Sequence, residues 1–181
     1  MGNPESSKSA VIQFKTIWDN YPSNDQPCTD LKTGKAPPGF DNQCAVRVGV
    51  ALSLSGVSFA NFNGARCPAT TRTSGMVASA QGLADWLKAR PFPGCPAVES
   101  YAGAVVFDKI KDRTGIIFLA DYWQRPNELG TKARSGDHID LWNGSRMTRV
   151  SSWFRVHWGI SWDGLWSDFE RAPRTLFWNI P

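Results

Sequence analysis

Asn42-Gln43-Cys44-Ala45-Val46-Arg47-Val48-Gly49-Val50-Ala51-Leu52-Ser53-Leu54 is a nearly unbroken apolar run behind a residue suited to capping. Such a run reads as a buried strand or a buried helix. Its length, its alanines and the cap decide for a helix starting at Cys44, with Val48, Ala51 and Leu52 on one face. Asn42 is the expected cap, and Ala45 at the third helical position rules out a reciprocal capping box. Upstream, the spacing of Val11, Phe14, Ile17 and Trp18 predicts an amphipathic helix over 8–19, stopped at Tyr21-Pro22-Ser23-Asn24-Asp25. Residues 22–41 hold four prolines and two glycines and read as a long loop of the kind that walls a groove.

Residues 55–75 are rich in Gly, Asn, Ser and Thr and read as irregular surface. A further helix is predicted over 75–89, with Met76, Ala80, Leu83 and Leu87 on one side and Pro91 and Pro93 ending it. Strands follow: 104–107, 115–120, 138–142 in strict alternation, 153–157 and 175–180. Asn143-Gly144 is a tight-turn signal. Helices first and strands later define an α+β fold with a largely antiparallel sheet, and the length of 181 residues fits one domain, 1–181.

A hydrophobic fraction of 41% and a charged fraction of 20% describe an ordinary folded globule. The net charge of +4 is scattered and forms no nucleic-acid stripe. Nine tryptophans, seven of them from Trp123 onward, serve core or a groove for sugar or peptide, and composition does not divide the two. Neither a signal-peptide stretch nor a membrane-length apolar window is present. The four cysteines form no Cys-x-x-Cys pair and are not grouped with histidines, so no metal is expected; glycine-rich nucleotide patterns are absent, so no cofactor is expected. Cys67 and Cys95 are the pair expected to form a disulfide in an oxidising workplace, with Cys28 free.

Cys44 at a helix start faces backbone N–H groups that favour negative charge on sulfur and on a carbonyl oxygen. His138 follows Gly136-Asp137 at the mouth of a strand, expected to be central in the sheet, where an imidazole can take the thiol proton and return one to a leaving amine. Asp140, two residues on, shares its face and can fix the tautomer. His157, between Val156 and Trp158, is the only alternative base. A buried structural cysteine and a solvent-facing His–Asp pair are the bland readings of the same residues.

The segment from Phe40 through Cys44 to Leu52 resembles the nucleophile helix of the fourth family of type VI secretion amidase effectors. Gly136-Asp-His-Ile-Asp-Leu-Trp-Asn-Gly144 is similar to that family's histidine strand, and Thr175-Leu-Phe-Trp-Asn-Ile-Pro181 to its final strand. The resemblance implies a papain-like fold related to wall-cutting cysteine peptidases. It further implies hydrolysis of the D-glutamate–meso-diaminopimelate bond of peptidoglycan stem peptides, with Cys44 as nucleophile and His138 as base. Also implied are delivery by a secretion apparatus without a signal peptide, action in the periplasm of target bacteria, and a cognate immunity protein. Some relatives carry an aspartate about eleven residues beyond the histidine, where this chain has Arg149; Asp140 is the nearest acidic candidate for the third position. The competing readings are a wall- or carbohydrate-binding module, an interaction protein on a degenerate peptidase fold, and a deamidase or transglutaminase using the same Cys–His chemistry.

Overall fold

Among the described residues three helices precede the first strand: α1 (Phe14–Asp19), α2 (Cys44–Leu54) and α3 (Ala80–Lys88). Then follow β1 (Val98–Tyr101), α4 (Val105–Ile110), β2 (Gly115–Trp123), β3 (Gly136–Trp142) and β4 (Arg174–Asn179). The structure is a computed structural model, and it describes residues 11–102, 105–123, 125, 128–129, 135–148 and 173–181. The predicted strand at 153–157 and the alternative base His157 lie outside those residues. Among the described residues, no helix is long and apolar enough to cross a membrane.

α2 forms where expected, and Val48, Ala51 and Leu52 are fully buried on it. The cap is displaced by one residue: Gln43 holds the N-cap position, and Asn42 accepts the Cys44 N–H at 3.3 Å with its side chain. α1 starts only at Phe14, whose N–H donates to the carbonyl of Pro181 at 2.8 Å and ties the helix to the end of the chain. α3 is shorter than expected because Ser79 caps it, accepting the Gly82 N–H at 3.0 Å. Met76 lies before the helix, its carbonyl taken by the Cys67 N–H.

Of the strand expected at 104–107, residues 105–107 are instead part of α4, and residue 104 lies outside the described residues. Val106, Phe107 and Ile110 are buried while Val105 is 56% exposed, which is helical spacing rather than alternation. The strand of this region is β1.

The sheet order is β1-β4-β2-β3, antiparallel throughout. Ile116, Phe118, Ile139, Leu141 and Trp178 pack in one core with Val48, Leu52 and Leu83, while Ile117, Leu119, Trp142 and Phe177 pack with α4. With apolar clusters on both faces the sheet is buried, so the alternation in β3 does not sort residues into core and solvent: His138 is 6% and Asp140 1% exposed. Among the described residues β3 is the end strand, not a central one. Beyond it, the Asn143-Gly144 turn forms as expected: Asn143 Oδ1 accepts the N–H groups of Ser145 and Arg146, and Gly144 takes φ +97°. Gly115 is required by close approach, since a Cβ there would stand 2.0 Å from the Trp178 carbonyl oxygen.

The two long loops are stitched to each other. A disulfide joins Cys28 to Cys67 with Cα atoms 5.9 Å apart. Arg72 Nε donates to Thr29 Oγ1 at 2.7 Å, and Leu31 N–H donates to the Thr70 carbonyl. Arg66 closes the second loop by donating to the carbonyls of Phe59, Phe62 and Gly75 at 2.6–2.7 Å. The expected Cys67–Cys95 pairing is therefore wrong. Cys95 is a free, buried thiol just past α3, its Sγ 3.7 Å from the Leu87 carbonyl, and burial pushes it up to about 11 against the opposing pull of Arg90. Replacing Cys28 and Cys67 together by alanine is expected to lower unfolding free energy by about 2–4 kcal/mol. Urea titration is the check, with the slope expected to rise because the unfolded chain loses its cross-link. A change below about 0.5 kcal/mol would mean that the polar stitching holds the loops without the bridge.

Candidate active site

Cys44 is the first residue of α2 and is 5% exposed. A thiol buried only for packing would be lined by apolar groups. This one reaches the His138 imidazole, which also faces Asp140, with Nε2 3.7 Å from Oδ2. At that length the Asp140–His138 contact is a charge contact rather than a closed hydrogen bond. Contacts of this kind tighten when substrate binds. Burial pulls the His138 imidazole down, but Asp140 and then Cys44 outweigh it and push it up to about 10. The ring is thus set to hold a proton between a carboxylate and a sulfur.

The two oxygens of Asp140 are divided. Oδ2 faces the imidazole, while Oδ1 accepts the Leu141 N–H at 2.8 Å and the hydroxyl of Thr148. Thr148 gets there because the chain reverses at Asn143-Gly144 and returns along β3, its own N–H donating to the Leu141 carbonyl at 3.2 Å. A carboxylate 1% exposed needs such donors, since burying an unpaired charge is prohibitive.

Tyr21 completes the cluster. Its phenol is pushed well above its usual value, first by burial and then by the charge of Asp140; the hydrogen bond with Thr148 and the nearby Arg47 work the other way. Its hydroxyl therefore stays neutral in the field of Asp140.

The structure thus brings Cys44, His138 and Asp140 together. Arg149 lies outside the described residues. Sequence reasoning missed Tyr21, taken only as a helix stop, and Thr148. Thr148 had a usable signal: a tight turn after β3 returns the chain alongside that strand. Tyr21 had none, because it arrives by packing of α1. Among the described residues, no group of three or more His, Cys, Asp or Glu side chains is arranged to hold a metal ion.

The fold has solved counterparts. The type VI effector–immunity complex Tae4–Tai4 from Enterobacter cloacae contains a chain with a TM-score of 0.61 at 16% identity, over 95% of this chain and 100% of that one. The effector Tae4 from Enterobacter cloacae alone gives 0.57 at 16% identity, covering 95% and 98%. The Tae4/Tai4 effector–immunity system from Salmonella typhimurium gives 0.58 at 17%, covering 95% and 100%. At these identities the likeness establishes the fold, a mixed α/β chain with an antiparallel sheet. No curated protein matches the chain. Residues 40–178 match the family model described as type VI secretion system amidase effector protein 4, Tae4, and the chain belongs to that family. It is therefore an amidase effector of the type VI secretion system, a hydrolase.

Proposed function

We propose that residues 1–181 form a single papain-like cysteine amidase domain that hydrolyses the D-glutamate–meso-diaminopimelate bond of peptidoglycan stem peptides. The observation that carries this reading is the buried Cys44 at the start of α2, sharing one raised-pKa imidazole with Asp140. Cys44 and His138 share one proton, and it already lies on the ring when Sγ attacks the amide carbonyl carbon. With Nε2 facing Asp140, Nδ1 is the nitrogen for the sulfur. The developing oxyanion lies against the N–H groups opening α2; the Cys44 N–H, only loosely held by Asn42 at 3.3 Å, is the donor most readily exchanged. His138 then protonates the departing diaminopimelate amine, leaving a thioester, and water activated by the same ring releases the D-glutamate carboxylate.

As in the solved effector–immunity complexes, a cognate immunity protein is the expected binding partner. Delivery by the secretion apparatus into the periplasm of target bacteria would bring the enzyme to its wall substrate. Digestion of purified stem peptides, with product masses read beside a Cys44→Ala control, tests the reaction. Two fragments that together gain one water, cut between D-glutamate and diaminopimelate, support it. Binding without cleavage would favour a wall-binding module, and release of ammonia alone would favour a deamidase.

Asp140 is expected to orient the ring. Asp140→Asn keeps the shape but removes the charge and admits the wrong tautomer. The expected loss in kcat is on the order of 10–10⁴ with little change in KM. Steady-state rates for Asp140→Asn and Asp140→Ala check this, and wild-type kcat in both would remove Asp140 from the mechanism.

A further inference from the structure

Gln43 is the buried polar residue next to Cys44 that the chemistry above leaves unused. It is 1% exposed, yet its side chain makes no capping bond to its own helix. Instead its carboxamide is spent on one residue of the distant loop: Oε1 accepts the Cys28 N–H at 2.8 Å and Nε2 donates to the Cys28 carbonyl at 2.9 Å. Both ends of the carboxamide are thereby turned to Cys28. Its backbone carbonyl accepts the Arg47 N–H at 3.0 Å, the first bond of α2. The residue that fixes where the helix begins is therefore clamped, by a two-point planar contact, to Cys28.

Cys28 is itself pinned. It is fully buried, its sulfur is bonded to Cys67, and both pack on Val46 with Val50 alongside. Cys67 in turn is held by its N–H to the Met76 carbonyl at 2.7 Å and by its carbonyl to the Gly75 N–H at 3.0 Å. A free loop end would give Gln43 nothing rigid to hold. The disulfide supplies the fixed point.

We propose that Gln43 is a positioning residue that sets Cys44 against His138, and that the Cys28–Cys67 disulfide is the anchor through which it acts. This rests on the Cys–His amidase reading above. A nucleophile displaced by about 1 Å loses on the order of 10²-fold in rate. Gln43→Met keeps the length and removes both bonds to Cys28. Cys28→Ala/Cys67→Ala keeps the backbone groups that Gln43 grips and removes the covalent tie of the loop that carries them.

The test measures kcat and KM on a stem tetrapeptide containing the D-glutamate–meso-diaminopimelate bond. In parallel, the rate of Cys44 alkylation by iodoacetamide is read by peptide mass and separated from Cys95. Thermal melts ensure that both assays run well below unfolding. Gln43→Met is expected to lower kcat and the Cys44 alkylation rate by about 10–100-fold with KM within about twofold. In the disulfide-free background the same substitution is expected to add less than about threefold, because two parts of one device are not additive. A lower melting temperature with unchanged kcat and alkylation rate would overturn the proposal, as would fully multiplicative effects. If Gln43→Met does not fold, the Cys28→Ala/Cys67→Ala variant decides alone, slowed alkylation supporting the anchor and unchanged alkylation overturning it. Alkylation needs no wall peptide, so a wild type inert on stem peptides would sink the amidase reading and leave the positioning test standing.

Discussion

Cys44→Ala is expected to bring hydrolysis of stem peptides down to background, a loss of at least about 10⁴-fold. The substitution removes the one cysteine sulfur placed to attack: Cys95 is buried beside the Leu87 carbonyl, and Cys28 and Cys67 are bonded to each other. The fold should survive it, because Cys44 lies at the beginning of α2 and the helix is held by Val48, Ala51 and Leu52 further along. Circular dichroism together with product masses is the check. A folded Cys44→Ala protein that still releases diaminopimelate-containing fragments at a tenth of the wild-type rate or more would refute the thioester mechanism.

His138→Gln is expected to be nearly as damaging, and the Cys44→Ala/His138→Gln double variant no worse than either alone, since nucleophile and base act as one unit. It carries a second signature. The folded-state pKa of His138 is raised from 6.5 to about 10, so its proton contributes stability that is fully present below 6.5 and is lost as pH rises through about 10. Wild type should therefore exceed His138→Gln in stability at pH 6.5, and the gap should shrink as the pH passes about 10. The kcat of wild type should fall over the same alkaline range as the acid that protonates the leaving amine disappears. Urea titrations at the two ends of the range and a pH–rate profile read both. A stability gap independent of pH would show that Asp140 and Cys44 do not hold a proton on this ring.

The helix behind Cys44 and the shared face of His138 and Asp140 were legible in the sequence for physical reasons, while the pairing of Cys44 with His138 came from the family resemblance. An apolar run eleven residues long behind a polar cap has few solutions other than a buried helix, and His-x-Asp on a strand must share a face. What was not legible depended on contacts distant along the chain. Four cysteines allow six different single bridges, and only the approach of the two loops selects Cys28 with Cys67. α4 was misread because Val105-Val106-Phe107 is too short to show a period, and Ile110, which reveals it, lies beyond that run. Tyr21 and Thr148 belong to the site only because α1 and the return from β3 bring them to Asp140.

The loop closed by Arg66 encodes its shape in an unusual place. One guanidinium grips three carbonyl groups, at Phe59, Phe62 and Gly75, and every amino acid carries a carbonyl. As far as this contact goes, the residues around it are free to drift while a single arginine keeps their path. A surface built this way can change its chemistry generation after generation without changing its outline, and a chain 16% identical to a solved counterpart can still share its fold.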